Sequence, residues 1–232
     1  SCTVYSLETF EPVYSTKRAV SYYDGEYVIS YDRGREEGNA YSTDNYTLEN
    51  KDALLIAQSN WGIYATESRS NPQLFTVSLY DEESGRYFEE LIDATGKTIA
   101  TGDKENGSWF SVCGSKGLIA TNSYSYDSKT EESIEYCTLM THHGEAVTPK
   151  RSYNSVSYLY AKEDGDPIYC SYAIGYYTFK GNLYSAILDE KGNELVSDIK
   201  AVRSNEGKYV IYEKGFDLVI YDLEAQKEIY TE

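Results

Sequence analysis

The sequence repeats one short phrase at a fixed spacing. Three segments, 91–97, 139–145 and 187–193, each run from apolar residues through a polar turn and a glycine to a polar residue. Their glycines, Gly96, Gly144 and Gly192, lie 48 residues apart, and a degraded fourth copy occupies 220–227. A fixed period of this size is typical of solenoids, arrays and propellers. The chain is therefore expected to fold as a series of similar units.

Each copy of the phrase predicts a β-hairpin. The apolar residues end a strand, Asp or another polar residue begins the turn, and glycine takes a position with positive φ, where a Cβ would clash. The residues that follow, such as Lys97–Ala100 and Glu194–Val196, have the pattern of a return strand. One such turn carries little information because it is common, whereas three in register indicate a structural repeat.

The composition indicates strands. The chain has 26 tyrosines and a single methionine, and aromatic and β-branched side chains suit a pleated, half-buried surface. No helical periodicity extends over about 12 residues, whereas period-two alternation is common, as in Ile168–Ile174. The sequence therefore predicts an all-β protein.

Grouping the predicted strands by the repeat gives four per unit, most clearly over 108–148 and 155–198. Four antiparallel strands in about 40–50 residues is the spacing of a β-propeller blade. We therefore predict a single domain, 1–232, forming a β-propeller of about five four-stranded antiparallel blades. An open array of β-hairpin repeats is the alternative. Ring closure is expected to pair Thr3–Leu7 or Phe10–Tyr14 into the final sheet.

Two kinds of segment resemble bacterial WG-repeat proteins. Trp61–Tyr64, Lys116–Ile119 and Lys214–Phe216 resemble the first half of that family's repeat, and Leu91–Ile99 and Ile187–Val196 resemble its second half. The resemblance covers about residues 52–232. It implies a repetitive, extracytoplasmic interaction module, and it carries over no catalytic residues.

The charge excludes several kinds of partner. The chain has 21 basic and 38 acidic residues, a formal net charge of −17, which argues against nucleic acid and anionic membranes as partners. No apolar run is long enough for a membrane-spanning segment. The acidic clusters Glu163–Asp166 and Asp81–Glu83 lack the ligand spacing of a calcium loop. We therefore predict no metal site and no cofactor.

The four cysteines bear on location. Cys113, Cys137 and Cys170 lie among apolar strand residues and are interpreted as buried free thiols, with disulfides as the alternative. Cys2 resembles the lipidated cysteine of a bacterial lipoprotein, so a lipid tether at that residue is a hypothesis. These features favour an extracytoplasmic location at the cell surface.

No complete catalytic set is found in the sequence. The only histidines, His142 and His143, are adjacent and fall in a repeated hairpin turn. Ser197–Lys200 matches S-x-x-K, but that motif works at the start of a helix and here it joins two strands. Paired carboxylates could serve a glycoside hydrolase, which is the less favoured alternative. The prediction is a protein without enzymatic activity and without catalytic residues.

The leading hypothesis is a non-catalytic module that binds a protein or glycan through aromatic side chains, since the rings supply apolar area and the hydroxyls supply direction. Trp61 and Trp109 fit packing between blades better than binding. A structural spacer in a larger surface protein is the alternative. The candidate binding residues are all tyrosines: Tyr22, Tyr23, Tyr124, Tyr126, Tyr176 and Tyr177.

Overall fold

The structure is a computed structural model that describes residues 1–32, 45–66, 73–112, 118–127, 132–141, 143–163 and 166–232. These residues form 22 strands joined by turns, and none of them is helical. The all-β prediction is confirmed.

The strands form one two-stranded hairpin and five four-stranded antiparallel sheets. Each sheet is a meander of consecutive strands, as in a propeller blade. The hairpin contains β1 (Cys2–Tyr5) and β2 (Pro12–Thr16). Sheet 1 contains β3 (Ala19–Tyr23), β4 (Tyr27–Asp32), β5 (Asn45–Asn50) and β6 (Leu55–Ser59). Sheet 2 contains β7 (Gly62–Ala65), β8 (Leu74–Asp81), β9 (Arg86–Asp93) and β10 (Thr98–Thr101).

The remaining three sheets follow the same plan. Sheet 3 contains β11 (Ser108–Val112), β12 (Ile119–Asp127), β13 (Glu132–Met140) and β14 (Ala146–Val147). Sheet 4 contains β15 (Ser155–Glu163), β16 (Asp166–Phe179), β17 (Asn182–Leu188) and β18 (Glu194–Ile199). Sheet 5 contains β19 (Ala201–Glu206), β20 (Tyr209–Lys214), β21 (Asp217–Asp222) and β22 (Lys227–Thr231). The predicted count of about five four-stranded sheets is confirmed.

The N-terminal strands do not complete the final sheet. β1 pairs with β2, with Cys2 opposite Thr16 and Val4 opposite Tyr14. Sheet 5 already contains four strands of its own, because tight turns let them fit into a short segment. The expectation that Thr3–Leu7 or Phe10–Tyr14 would pair into the last sheet is therefore wrong. A short local hairpin supplies their hydrogen bonds instead.

The repeated phrase forms the turn between the third and fourth strands of sheets 2, 3 and 4. The glycines have φ values of 85° at Gly96, 82° at Gly144 and 80° at Gly192. In sheet 4 the Asp189 carboxylate accepts hydrogen bonds from the N–H groups of Lys191 and Asn193, at 2.9 and 2.8 Å. An Asp or Thr side chain thus holds the turn from its first residue, as the sequence predicted.

The same turn occurs in sheet 1, where the sequence hid it. Asn50 begins this turn, and its side chain accepts the N–H groups of Asp52 and Leu54 at 3.0 and 2.9 Å. Ala53 takes the glycine position with a φ of 59°. The copy lacks a glycine and lies 43 rather than 48 residues before Gly96, so neither residue type nor spacing reveals it.

The described residues divide into two compact units. The first contains the N-terminal hairpin and sheets 1 and 2, which share one apolar core. The second contains sheets 3, 4 and 5, with sheet 4 packed on both faces. The sheet 1–sheet 2 core consists of Ile29, Leu48, Ile63, Phe75, Val77 and Ile92. Alternate residues of sheet 4 face sheet 3 (Ala173, Tyr177, Ala186, Leu188) and sheet 5 (Ile174, Ile187, Val196, Ile199).

Candidate functional site

Three aromatic side chains contact one another on sheet 2. The ring centroids of Trp61 and Tyr80 are 5.5 Å apart, those of Trp61 and Tyr87 are 5.1 Å apart, and those of Tyr80 and Tyr87 are 5.0 Å apart. Tyr80 is 39% exposed and Tyr87 is 51% exposed, whereas Trp61 is half-buried. We call these three residues the aromatic cluster.

Strand alternation puts the two tyrosines on one face. Tyr80 on β8 lies directly opposite Tyr87 on β9. Their neighbours Leu79 and Phe88, also a pair, point to the other face. Leu79 packs against the core shared with sheet 1, and Phe88 is buried. The core therefore fixes the register of these strands and with it the position of both exposed rings.

Hydrogen bonds between backbone groups and the Ser59 hydroxyl fix the backbone of Trp61 beside this pair. The Ser59 hydroxyl accepts the N–H groups of Trp61 and Gly62 at 3.0 and 3.3 Å, and it donates to the carbonyl of Ser78 on β8. Ser59 is buried. One hydroxyl thus joins the turn that carries Trp61 to the strand that carries Tyr80.

An acidic turn separates the two tyrosines along the chain. The Asp81 carboxylate accepts the Ser84 N–H at 2.7 Å, and the Asp81 carbonyl accepts the Gly85 N–H at 2.8 Å. The hydrogen bond from Ser84 lowers the pKa of Asp81. Glu82 and Glu83 are exposed in the same turn. Carboxylates therefore lie next to the aromatic cluster, and the lowered pKa of Asp81 keeps that group ionised at neutral pH.

The geometry limits what this surface can bind. Because the three rings are already in contact, a ligand group does not fit between them and must lie on their outer surface. The rings offer apolar area and negative faces, and the phenol groups and carboxylates offer hydrogen-bond acceptors. Such a surface suits sugar rings with their hydroxyls, or a protein segment with basic side chains.

Sheet 3 carries a related aromatic pair. The centroids of Trp109 and Tyr124 are 6.4 Å apart, and the two side chains are 40% and 39% exposed. Tyr126, two residues further along β12, is 55% exposed. Trp109 lies 48 residues after Trp61. Trp61 immediately precedes the first strand of sheet 2, and Trp109 is the second residue of the first strand of sheet 3. The repeat therefore supplies a contact between a tryptophan and an exposed tyrosine in two successive sheets.

Among the predicted binding residues, Tyr22 and Tyr23 are half-buried. The Tyr22 ring meets Phe75 edge to face at 6.5 Å, and its hydroxyl donates to Asp24 at 2.7 Å. Burial and the Asp24 carboxylate raise the pKa of Tyr22. Tyr23 stacks on Tyr14 with centroids 5.4 Å apart. Both rings are engaged in packing within the first unit.

Tyr176 and Tyr177 lie on opposite faces of sheet 4, as their adjacency requires. Tyr176 is half-buried against the core that sheet 4 shares with sheet 5. Tyr177 is 3% exposed in the core that sheet 4 shares with sheet 3. The Tyr177 hydroxyl donates to Asp198 at 2.8 Å, and the Arg151 guanidinium lies 4.1 Å from the centre of its ring. Of the six predicted tyrosines, Tyr124 and Tyr126 are therefore the exposed ones.

Sequence reasoning missed Tyr80 and Tyr87 as candidate binding residues. A usable signal was present, because both tyrosines flank the turn Asp81–Arg86 symmetrically. Residues that flank a hairpin turn in this way lie opposite each other on one face. Trp61 at the edge of the same sheet completes the group, but its contact with the tyrosines depends on the tertiary structure.

A buried ionic network lies on the fourth strand of sheet 4. The side chain of Glu194 is 3% exposed, and it accepts hydrogen bonds from Arg151 at 3.0 Å and Tyr153 at 2.8 Å. Burial by itself would raise the pKa of Glu194, but these two bonds and the Arg151 charge outweigh it and lower the pKa. The network holds the segment before β15 against β18, which gives it a structural role.

The motifs considered for catalysis and metal binding lie in turns and strand ends. Ser197–Lys200 ends β18 and is not in a helix. His143 is exposed in its turn, and His142 lies outside the described residues. In the described part of the chain, no three His, Cys, Asp or Glu residues are grouped so as to hold a metal ion. No helix suited to crossing a membrane is found in that part either.

Two of the cysteines are described with their side chains. Cys2, in β1, and Cys137, in β13, are free and half-buried. Burial raises the pKa of Cys137 to about 12. Cys113 lies outside the described residues, as does the side chain of Cys170.

Comparison with known families and with curated proteins gives no match to this chain. The structure places the WG-like phrases at different points of a sheet. Trp61 precedes the first strand of sheet 2, Ile119 begins the second strand of sheet 3, and Gly215 lies between the second and third strands of sheet 5. The hairpin phrase, in contrast, recurs at one position in the sheets.

Proposed function

We propose that this chain is a non-catalytic binding module that recognises a protein or glycan through the aromatic cluster of sheet 2. The observation that carries the proposal is the exposure of Tyr80 and Tyr87, at 39% and 51%, in direct contact with Trp61. Packing in the core explains the apolar residues on the opposite face of β8 and β9. It does not explain the exposed aromatic residues on this face.

Exposed aromatic groups of this kind favour a binding role over a spacer. Scattered exposed apolar residues are normal on protein surfaces, whereas contiguous ones mark interaction sites. Tyrosine and tryptophan contribute most strongly to binding energy when they lie together at an interface. The contact between Trp109 and Tyr124 in sheet 3 adds a second group of the same chemistry.

The carboxyl groups favour binding over hydrolysis. A glycoside hydrolase needs a general acid whose pKa is raised. Four carboxyl groups of the described residues have pKa values below the ordinary range: Asp81, Asp93, Glu194 and Asp222. These groups are suited to accepting hydrogen bonds and poorly suited to donating a proton.

The proposal includes an extracytoplasmic location at the cell surface. The resemblance to WG-repeat proteins supports this location. Protease added to intact cells of the native host should degrade the chain. Protection until the cells are lysed would place it inside the cell.

The test begins with glycan and protein arrays probed with the purified chain. Dissociation constants for the hits are then measured by calorimetry for the wild type and for the double variant Tyr80→Ser/Tyr87→Ser. Truncating exposed aromatic anchors should weaken binding at least about tenfold, or about 1.4 kcal/mol. The matched control is Tyr5→Ser, since Tyr5 is 57% exposed on β1, which belongs to the N-terminal hairpin and not to sheet 2.

The outcomes separate the alternatives. Weakened binding in the double variant and unchanged binding in the control support the aromatic cluster as the binding site. A hit on the glycan array or on the protein array identifies the class of ligand. No hit on either array at micromolar concentration would favour the spacer. Turnover of an array glycan by the wild type would overturn the non-catalytic assignment.

A further inference from the structure

The basic residues around the aromatic cluster lie on the other face of sheet 2. Arg86 is the one basic residue of β8 and β9, both of which the structure describes in full. It lies opposite Asp81 and two residues before the buried Phe88, so strand alternation puts it on the face of Phe88. The Lys104 ammonium lies over the Phe88 ring, with Nζ 5.1 Å from the ring centre. These two positive charges therefore lie on the face opposite the aromatic cluster.

The surroundings of the aromatic cluster itself are acidic. Glu82 and Glu83 are exposed in the turn that joins β8 to β9. Glu89 lies two residues after Tyr87 on the same strand and therefore on the same face. The faces of tyrosine and tryptophan rings are electronegative as well. Rings and acidic side chains together make this surface attractive to a positively charged group.

The packing of the three rings determines the shape of the ligand group that fits. The ring centroids are 5.0 to 5.5 Å apart, so the rings fill the space between themselves and a ligand meets their outer surface. A planar guanidinium group can lie flat on such a surface, whereas an ammonium group cannot stack. The chain contains one contact of this kind, because the Arg151 guanidinium lies 4.1 Å from the centre of the Tyr177 ring.

We propose that the aromatic cluster binds an arginine-bearing segment of a partner protein, with guanidinium groups on its rings and close to Glu82 and Glu83. This inference rests on the proposed function of the same site and names its ligand class. A guanidinium group gains from the rings and from the acidic side chains at once. A neutral sugar gains from the rings but gains nothing from the charge. The net charge of −17 also draws a basic partner towards the chain.

Calorimetry at physiological salt tests the proposal, with a synthetic peptide of alternating glycine and arginine as the probe. The wild type should bind this peptide saturably. A peptide of alternating glycine and lysine carries the same charge without a planar group, and it should bind at least about threefold more weakly. Equal binding of the two peptides would show that charge alone attracts them, which overturns the proposal.

Variants of the chain separate the rings from the charge. Tyr80→Ser/Tyr87→Ser removes no charge, so it should weaken binding of the arginine peptide at least about fivefold only if the rings contact it. Glu82→Gln/Glu83→Gln should weaken binding at least about twofold. The matched control is Glu8→Gln/Glu11→Gln, which removes the same charge from exposed residues of the N-terminal hairpin and should bind like the wild type. Thermal midpoints close to that of the wild type show that the variants are folded.

The outcomes distinguish this inference from the proposed function on which it rests. An arginine peptide that fails to bind the wild type, or that binds the double tyrosine variant equally well, overturns the inference. If that peptide fails while an array glycan binds the wild type and is lost in the double tyrosine variant, the binding module stands and its ligand is a glycan. If neither the peptide nor any array ligand depends on the two tyrosines, the proposed function fails as well.

Discussion

At the scale of single residues, the turn glycines serve two purposes. A Cβ on Gly96 would lie 2.9 Å from the Ile56 carbonyl oxygen, and one on Gly192 would lie 2.6 Å from a methyl carbon of Val147. Ile56 and Val147 both belong to the fourth strand of the preceding sheet. The glycine therefore provides a positive φ and also lets the next sheet approach closely.

We expect substitutions at the glycine position to have opposite signs in two sheets. Gly192→Ala should destabilise the fold by more than about 1 kcal/mol, because it combines an unfavourable φ with a clash. Ala53→Gly should stabilise it by about 0.5 kcal/mol, because relief at φ 59° exceeds the entropy cost of glycine in the unfolded chain. Urea denaturation measures both changes. A neutral Gly192→Ala would contradict the account of the repeat.

The Glu194 network predicts a pH dependence. A carboxyl group whose folded pKa is lowered contributes stability that is fully present above its unfolded pKa, about 4.3. That contribution is lost as the pH falls through the lower folded value. Glu194→Gln should therefore cost about 1–3 kcal/mol at pH 7, and the difference from the wild type should shrink towards zero in acid.

Denaturation midpoints between neutral pH and about pH 2 measure this difference. Glu190→Gln is the control, since Glu190 is an exposed residue of the adjacent turn, and it should follow the wild type throughout. A difference for Glu194→Gln that stays constant with pH would show that the lost contact is steric rather than ionic.

At the scale of strands and sheets, much could be predicted from the sequence. Gly144 and Gly192 mark turns whose local sequence favours a single conformation. The positions of the strands in sheets 3 and 4 could therefore be predicted closely. The turn at Ala53 could not be predicted in this way, because Asn50 and packing hold it and it contains no characteristic glycine. The sequence likewise does not predict that Tyr22 is packed and Tyr80 exposed, because burial depends on which face of each sheet is covered by its neighbour.

The Ser59 hydroxyl joins two elements at the candidate site. Ser59→Ala removes the acceptor for two N–H groups and the donor to Ser78. We expect a loss of stability of about 1–3 kcal/mol and a shift of Trp61 fluorescence towards that of exposed tryptophan. Ser21→Ala is the control, because Ser21 donates one long hydrogen bond, 3.4 Å, to Ile29. Equal effects of the two substitutions would show that Ser59 does not hold Trp61.

At the scale of the whole molecule, the repeat predicted the architecture but not the role of the N-terminal segment. Four strands per unit follow from local turn chemistry, whereas the pairing of β1 depends on a competition between its neighbour β2 and a strand distant in sequence. The net charge of −17 argues against nucleic acid and anionic membranes as partners but does not identify a partner. The proposal of a protein or glycan partner depends instead on the aromatic cluster, in which Trp61, Tyr80 and Tyr87 contact one another.

The fluorescence of Trp61 during ligand titration tests the central claim most directly. The chain has two tryptophans, so Trp109→Phe leaves Trp61 as the only indole. A ligand identified on the arrays should change Trp61 emission saturably, and Tyr87→Ser in the same background should weaken the response at least about tenfold. Binding detected by calorimetry without any change in Trp61 emission would contradict the assignment of the site to the aromatic cluster.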